Sequence, residues 1–309
     1  MNAIKYILIC GAGMMGKNIA FVMASNPAYQ VGVYDLYETD VPGGIRANTR
    51  QLIAKGALTE EELDARLSRI SFTTDLDSEL VSRADLVIEA VFEDMKIKRE
   101  TFAKLEARCR PDTIFCTNSS VMSPSEISAE LQHRERFVGT HFWNPGHLIP
   151  LVEVVKSDAS SDETAQTVME VLSSAGKEPV LCKKDVPGFI ANRMQHALWR
   201  EAISIVERGI ADAATVDKAV RYSFGLRLPQ LGPMENADMV GTDLTYNIHD
   251  YILKDLEDSH EPSPLLTRLR DEGKLGFKTG EGFQTWTPQQ IEQSKEALND
   301  YLVDMLYGK

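Results

Sequence analysis

The sequence predicts an α/β fold, in which a doubly wound, mostly parallel sheet is followed by an all-α second domain. Short apolar runs typical of buried strands alternate with helical patterns through residues 1–184. Residues 183–188 read as a boundary, with Asp185 placed to cap a helix that begins near Pro187. Because the pattern from 185 to 309 is almost wholly helical, we assign 1–184 to the sheet domain and 185–309 to the helical domain.

The chain opens with a strand, a glycine-rich turn and a helix. An apolar run at 6–10 meets the turn, and helical spacing continues from 17 to 24. Glycines let the backbone approach a pyrophosphate, and a helix N-terminus offers N–H groups and a favourable dipole. The pattern predicts a Rossmann-type dinucleotide site. We assign to it Gly11, Gly13, Met14, Met15 and Gly16.

The end of the second predicted strand, 30–34, indicates which dinucleotide binds. It ends at Asp35, about where an acidic residue binds a ribose 2′-hydroxyl in such sites. No Arg or Lys follows Asp35 until Arg46, so a 2′-phosphate would meet only negative charge. The sequence therefore predicts NAD rather than NADP. The alternative is a glycine turn that binds nothing, followed by an ordinary strand-end Asp.

Two amphipathic helices are predicted over 45–70, the second opening with Thr59 as its N-cap. Buried strands follow at 85–91, 113–116 and 136–140, and polar residues come after the first two. Open α/β sheets bind ligands at the carboxyl ends of their strands, so Glu93, Asn118 and Ser119 are candidate ligand contacts. The alternatives are a helix-capping role for Glu93 and a turn or cap role for 118–120.

An acidic residue interrupts the apolar run 151–155, where Glu153 is the one charged member. An ionised glutamate inside a buried strand is costly unless a donor faces it. His141 is a candidate donor close in sequence, because turns at Asn144-Pro145 and near Pro150 can bring the two together. A histidine oriented by a buried carboxylate forms a general acid/base pair.

A helix at 161–175 and a strand at 179–182 complete the first domain, and the remaining pattern is helical. Helices are predicted over 189–207, 214–223, around 234–256, and over 289–306. The first of these is apolar on more than one face. We therefore expect the second domain to pack on the first and on another subunit, as a homodimer.

Composition excludes several classes of protein. The chain has 309 residues, 43% of them hydrophobic, and a formal net charge of −13, which argues against nucleic-acid or anionic-membrane partners. With no pair of cysteines at metal-ligand spacing, we expect no metal site and four reduced thiols. The N-terminal residues have no signal-peptide pattern, and no apolar stretch is long enough to span a bilayer. We therefore expect a cytoplasmic protein with a small-molecule substrate.

Eight motifs, in this order, resemble the 3-hydroxyacyl-CoA dehydrogenase family over nearly the whole chain. They are Gly11-x-Gly13-x-x-Gly16, Ala84-Asp85-Leu86-Val87-Ile88-Glu89-Ala90, Asn118-Ser119-Ser120, His141-Phe142-x-Asn144-Pro145, Leu151-Val152-Glu153-Val154-Val155, Asp185-x-Pro187-Gly188-Phe189-Ile190-x-Asn192-Arg193, Gly232-Pro233-Met234-Glu235 and Gly276-x-Lys278-Thr279-Gly280-x-Gly282-Phe283.

The resemblance implies a role for individual residues. His141 would be the catalytic acid/base, oriented by Glu153. Ser119, Asn144 and Asn192 would contact the substrate's hydroxyl or carbonyl. Glu93 matches a position near the nicotinamide, and we assign Lys98 and Asn118 with it to cofactor binding.

The implied reaction interconverts a 3-hydroxy acid, free or as a CoA thioester, and its 3-oxo form. His141 would remove the proton of a secondary alcohol as hydride passes to NAD, while Ser119 and Asn192 hold the oxygen that gains negative charge. An alternative enzyme type with this architecture uses a lysine on the first helix of its second domain, but 189–195 has none. Two further alternatives are a dehydrogenase of another small carboxylate-bearing alcohol and a catalytically silent dinucleotide-binding protein.

Two departures from the family pattern concern the substrate. Acyl-CoA members usually carry a lysine where this chain has Pro150, and their link before Gly-Pro is shorter than 225–233. Both features resemble relatives that oxidise free hydroxy acids or similar small alcohols, such as L-gulonate 3-dehydrogenase and L-carnitine dehydrogenase, and relatives acting on pyridine carboxylates. Arg227 could then bind a substrate carboxylate, or could be an ordinary surface arginine. His147 is undecided between a substrate contact and a turn residue.

Overall fold

The computed structural model describes residues 3–308, which form two compact units. The first unit runs up to Ala191 and also includes the residues from Ala297 on. The second unit is Asn192–Glu296. The domain boundary between 184 and 185 stays a prediction.

The first unit is built on one eight-stranded sheet. Its strands are β1 (Tyr6–Cys10), β2 (Gln30–Tyr34), β3 (Ile70–Thr73), β4 (Leu86–Glu89), β5 (Ile114–Thr117), β6 (Phe137–Phe142), β7 (Leu151–Lys156) and β8 (Glu178–Cys182). Their order is β3-β2-β1-β4-β5-β6-β7-β8. Neighbouring strands are parallel except for the antiparallel pair β6 and β7. The predicted doubly wound, mostly parallel sheet is confirmed.

Helices pack on both faces of this sheet. They are α1 (Met14–Met23), α2 (Val41–Ala54), α3 (Glu60–Leu67), α4 (Glu79–Ser82), α5 (Met95–Glu106), α6 (Pro124–Ile127) and α7 (Asp162–Ser174). Along β1, Ile7 and Ile9 enter one apolar cluster while Leu8 and Cys10 enter the other. Because successive side chains point to opposite faces, a strand covered on both sides is apolar throughout, which is why these runs could be recognised in the sequence.

The region 45–70 differs from the prediction at both of its ends. The first helix, α2, begins at Val41, where the Asp40 side chain accepts a hydrogen bond from the Gly43 N–H. Ile70 begins the edge strand β3, which the helical pattern concealed. The predicted N-cap at Thr59 is confirmed, since it forms a capping box with Glu62.

The predicted role of Asp185 as a helix cap is wrong. The next helix, α8, begins at Ala191 rather than near Pro187. The Asp185 carboxylate instead accepts hydrogen bonds from the Ser125 N–H, at 2.9 Å, and from the Ser123 hydroxyl. Asp185 therefore joins this segment to the N-terminus of α6.

The C-terminal part of the chain is helical, as predicted. Its helices are α8 (Ala191–Glu207), α9 (Ala213–Arg221), α10 (Pro233–Val240), α11 (Thr242–Ile252), α12 (Pro264–Asp271) and α13 (Pro288–Tyr307). The stretch predicted around 234–256 is two helices, divided at Gly241, whose φ of 100° breaks the helix. The sequence did not reveal α12. Within residues 3–308, no helix is long and apolar enough to cross a membrane.

Candidate active site

The glycine turn between β1 and α1 has the close backbone packing of a dinucleotide site. A Cβ on Gly11, whose φ is 110°, would lie 2.6 Å from the Ala90 carbonyl oxygen. A Cβ on Gly16 would lie 1.8 Å from the Gly11 carbonyl oxygen. Around Gly13, a Cβ would meet no heavy atom of the described chain within 4 Å. Two glycines therefore allow the turn to close, and Gly13 leaves open space at the N-terminus of α1.

Asp35 lies directly after β2 and is tied to the same turn. One carboxylate oxygen accepts a hydrogen bond from the Ala12 N–H at 2.6 Å, and the other accepts from the Tyr37 N–H at 3.2 Å. The side chain therefore orients the glycine turn. Its predicted contact with a ribose stays a prediction.

Three ionisable side chains, from β4, α5 and the segment between them, form a cluster at the carboxyl end of the sheet. The Lys98 ammonium is 2.8 Å from Glu89 and 3.1 Å from Glu93. Lys98 and Glu89 are fully buried, whereas the Glu93 side chain is 39% exposed. Glu93 is thus the member that reaches the surface. The structure assigns the cap of α5 to Asp94, whose side chain accepts from the Ile97 N–H, and not to Glu93.

The hydrogen bonds of this cluster set the ionisation of its carboxylates. Burial raises the pKa of Glu89, partly opposed by the Lys98 ammonium. Burial also acts to raise the pKa of Glu93, but the hydrogen bond from the Ser119 hydroxyl and the Lys98 charge hold that pKa below its usual value. Glu93 is therefore an anion at neutral pH.

Asn118 and Ser119 follow β5 and connect three neighbouring strands. The Asn118 backbone N–H donates to the Glu89 carbonyl at 2.8 Å, and its side-chain oxygen accepts from the Phe142 N–H at 2.9 Å. Ser119 is 1% exposed, accepts from the Met122 N–H and donates to Glu93. In this structure the Ser119 hydroxyl proton is therefore directed at Glu93, and its contact with a substrate stays a prediction.

His141 and Glu153 lie directly opposite each other on the antiparallel strands β6 and β7. The His141 Nδ1 is 2.8 Å from a Glu153 carboxylate oxygen. Both residues are buried, at 4% and 0% exposed. Since the carboxylate faces Nδ1, we assign the ring proton to Nδ1, which leaves Nε2 as a proton acceptor.

Four donors surround the Glu153 carboxylate. One oxygen accepts from the backbone N–H groups of Ile190, at 2.8 Å, and Ala191, at 3.0 Å. The other faces His141 and the Trp143 indole N–H, which is 3.3 Å away. Burial acts to raise the pKa of Glu153, but the hydrogen bonds from His141, Ala191 and Ile190 hold that pKa below its usual value. Glu153 is thus an ionised partner for the histidine.

The remaining predicted substrate contacts lie on other segments. Asn144 is exposed in the loop that follows β6. Asn192 is half-buried in the first turn of α8, and Arg227 is exposed directly after a short 3₁₀ turn at Phe224–Leu226. Their roles stay predictions.

The sequence left the role of His147 undecided. In the structure, its side chain packs inside the first unit, near Lys177 and Asn48. Burial, together with the nearby Lys177 charge, lowers its pKa to about 4, opposed by a backbone hydrogen bond with Asn48. Its Nδ1 has no hydrogen-bond partner in the part of the chain that the structure describes. His147 is therefore neutral at physiological pH.

The titration of His147 has a measurable consequence for stability. Below pH 6.5 the unfolded chain binds a proton at this ring, whereas the folded chain does so only near pH 4, so stability is lost as pH falls through this range. We expect the unmodified protein to lose up to about 3 kcal/mol more unfolding free energy over that range than His147→Asn does. Urea unfolding at several pH values would show this, and parallel pH profiles would contradict it.

Two family models match consecutive parts of the chain. The model for the 3-hydroxyacyl-CoA dehydrogenase NAD binding domain matches residues 6–186. The model for the C-terminal domain of 3-hydroxyacyl-CoA dehydrogenase matches residues 188–286. Together they cover both the sheet and most of the C-terminal helices.

Individual relatives match over nearly their full length. The 5-formyl-3-hydroxy-2-methylpyridine 4-carboxylate 5-dehydrogenase of Mesorhizobium japonicum is 34% identical over 293 residues, 94% of this chain and 93% of that protein. Human mitochondrial hydroxyacyl-coenzyme A dehydrogenase is 37% identical over 291 residues, 91% of this chain and 90% of that protein.

Solved structures give the same two kinds of relative. A crystal structure of the pyridine carboxylate 5-dehydrogenase, described as an NAD⁺ dependent dismutase, superposes with a TM-score of 0.90 at 32% identity, covering 98% of this chain and 97% of the other. The (S)-3-hydroxybutyryl-CoA dehydrogenase of Ralstonia eutropha superposes with a TM-score of 0.77 at 29% identity, covering 92% of this chain and 100% of the other.

Proposed function

Since the chain belongs to the 3-hydroxyacyl-CoA dehydrogenase family and is an NAD-dependent oxidoreductase acting on a CH–OH group, we propose that it interconverts a 3-hydroxy acid and its 3-oxo form with His141 and Glu153 as acid/base pair. The observation that carries this proposal is the 2.8 Å contact between the buried His141 Nδ1 and Glu153. It leaves Nε2 as the base.

In the direction of oxidation, His141 Nε2 accepts the hydroxyl proton of the substrate. When bound, NAD supplies the acceptor for the hydride that leaves the carbon bearing this hydroxyl group. Glu153 stabilises the imidazolium that forms, because its own charge is already held by the backbone amides of Ile190 and Ala191. In the direction of reduction, His141 returns the proton to the oxygen.

Three polar side chains are proposed to place the substrate. Asn144 and Asn192 carry amide groups that can donate to a hydroxyl or carbonyl oxygen as charge develops there. Ser119 is proposed to act with them, although its proton faces Glu93 in this structure. Glu93, Lys98 and Asn118 are proposed to line the nicotinamide end of the cofactor site.

The glycine turn fits the pyrophosphate of NAD. Gly13 is the N-cap of α1 and, within residues 3–308, no side chain caps that helix, so the N–H groups of Met14, Met15 and Gly16 can face an anion.

Asp35 is proposed to bind the ribose hydroxyls. Asp35→Ala is then expected to weaken NADH binding, by losing both that contact and the anchor on Ala12. Titration of NADH fluorescence would measure this, and unchanged affinity would refute the assignment.

Two observations favour a small free acid over a CoA thioester as substrate. Pro150 replaces the lysine that acyl-CoA members usually carry. The TM-score of 0.90 to the pyridine carboxylate 5-dehydrogenase exceeds the 0.77 to the 3-hydroxybutyryl-CoA dehydrogenase. Arg227 is proposed to bind the substrate carboxylate through its guanidinium fork. A 3-hydroxyacyl-CoA remains the second candidate, supported by the relatives named for that activity.

A substrate panel tests the proposal. The purified chain is mixed with NAD⁺ and, in turn, 3-hydroxybutyrate, L-gulonate, L-carnitine, a hydroxymethylpyridine carboxylate and 3-hydroxybutyryl-CoA, while NADH formation is followed. Turnover of a free acid with a kcat/KM above that of the thioester is expected. Binding of NADH, with no turnover of these compounds with NAD⁺ or of their oxo forms with NADH, would indicate a catalytically silent dinucleotide-binding protein.

We also propose that the protein is a cytoplasmic homodimer. The helices of the second unit expose large apolar side chains, including Leu198 and Trp199 on α8 and Tyr246 and Tyr251 on α11. Light scattering is expected to give twice the mass of one chain, and a monomer at micromolar concentration would contradict the dimer.

All four cysteines are free thiols, which suits the reducing environment of the cytoplasm. Cell fractionation would test the proposed cytoplasmic location.

A further inference from the structure

A buried lysine outside the catalytic pair holds part of the same site. Lys177 lies between α7 and β8 and is 5% exposed. Its ammonium donates to the carbonyl of Gly146 at 2.7 Å and to that of Ile149 at 2.8 Å. Both carbonyls belong to the loop 143–150 that connects β6 to β7. No step of the proposed reaction uses this lysine.

The loop 143–150 touches the catalytic pair at its first residue. The Trp143 indole donates to Glu153, and its ring centre is 5.4 Å from that of His141. Asn144, a proposed substrate contact, follows directly. The geometry of this loop therefore bears on where the pair and the substrate lie.

The rest of the loop is fastened at several points. The N–H groups of Leu148 and Ile149 both donate to the Pro145 carbonyl at 3.0 Å, which closes a turn. The Glu178 N–H donates to the Pro150 carbonyl at 3.0 Å. Gly146 lies against α1, since a Cβ there would be 3.2 Å from atoms of Met15 and Asn18. Lys177 donates to carbonyls at both ends of this turn.

The surroundings of Lys177 make a purely packing role a poor explanation. Its hydrogen bonds go to uncharged carbonyls, the Phe142 ring centre is 6.0 Å away, and His147 nearby is neutral. Burial lowers the pKa of Lys177 to about 8. An apolar side chain would fill the same space without that desolvation cost, so the donors are what the lysine contributes.

We propose that Lys177 is a positioning residue: by binding two carbonyls of the loop 143–150, it fixes Trp143 and Asn144 beside the His141–Glu153 pair. This inference rests on the proposed dehydrogenase function for its effect on turnover. Its structural part, the anchoring of the loop, does not.

Lys177→Met removes the donors and keeps most of the apolar stem. We expect kcat to fall about 10- to 100-fold, because a loop shift of about 1 Å misplaces reacting groups. The Kd of NADH should change by less than about threefold, since the glycine turn is held by the Tyr34 carbonyl and the Asp35 carboxylate rather than by this loop. Hydrogen exchange at the Leu148 and Ile149 amides should become faster.

Lys55→Met is the matched control in the same unit. The Lys55 ammonium donates to the Asp300 carbonyl at 3.2 Å and to the Asp304 carboxylate at 2.7 Å, far along the chain from the loop. This variant should leave kcat and the loop amides unchanged. Lys177→Arg, which restores donors in a different geometry, should recover part of the lost kcat. If Lys177→Met does not fold, kcat is compared between Lys177→Arg and Lys55→Arg instead. A smaller loss of kcat is then expected in Lys177→Arg, and no loss in Lys55→Arg.

Two results would overturn the proposal. One is an unchanged kcat in Lys177→Met, and the other is a loss of NADH affinity as large as the loss of kcat. If the unmodified chain turned over no compound of the panel, the proposed function would fail. Faster exchange of the loop amides in Lys177→Met would then still support the anchor, and unchanged exchange would refute it.

Discussion

His141→Gln is expected to lower kcat by about 10²- to 10⁴-fold, the usual contribution of a positioned acid/base. The Kd of NADH should change by less than about threefold, because the glycine turn and α1, and not this side chain, are proposed to bind the cofactor. The glutamine can still donate to Glu153 but has no basic nitrogen to accept a proton. Steady-state kinetics and a fluorescence titration of NADH measure the two quantities on the same preparation.

Two further variants sharpen this test. His133→Gln changes a half-exposed histidine that contacts Glu135 and should leave both quantities unchanged. Glu153→Gln keeps an acceptor for the Ile190 and Ala191 amides but removes the charge beside the imidazolium, so an intermediate loss of kcat is expected. Equal losses of kcat and NADH affinity in His141→Gln would defeat the assignment of His141 to chemistry.

Gly13→Ala is expected to weaken NADH binding by about 30- to 100-fold, or roughly 2 to 3 kcal/mol, while the protein stays folded. A Cβ at Gly13 would meet no heavy atom of residues 3–308 within 4 Å, so it would point into the open space proposed for the pyrophosphate. Gly16→Ala should instead reduce stability, because its Cβ would lie 1.8 Å from the Gly11 carbonyl oxygen. Calorimetric titration with NADH and a thermal melt separate these effects.

Gly232→Ala provides the control for Gly13→Ala. Gly232 is also an N-cap glycine, at the start of α10 in the second unit, and its Cβ would likewise have no neighbour within 4 Å in the described chain. Its replacement should leave NADH affinity unchanged. If Gly13→Ala behaved in the same way, the cofactor would not approach the turn as proposed.

Local patterns were enough to predict the sheet and its glycine turn. Strands covered on both faces are uniformly apolar, so β1, β2, β4 and β5 stand out from the helices between them. The edge strand β3 was missed because its residues are only partly buried, so its sequence lacks that uniform apolar character. The prediction that Asp185 caps a helix was wrong because the same carboxylate can accept a hydrogen bond from a backbone N–H distant in the chain. Here it accepts from the Ser125 N–H.

The contact between His141 and Glu153 could be proposed from the sequence because an ionised carboxylate in a buried strand is costly without a partner. The sequence alone determined the α/β class, the dinucleotide turn and the unusual position of Glu153. Only the tertiary structure decided that His141 and Glu153 lie opposite each other and that Glu93 belongs to a cluster with Lys98. It also decided that the Lys177 ammonium donates a hydrogen bond to the loop beside His141 and Glu153. Local patterns report backbone preference and burial, whereas the partner of a buried charge depends on strand register and on residues distant in the chain.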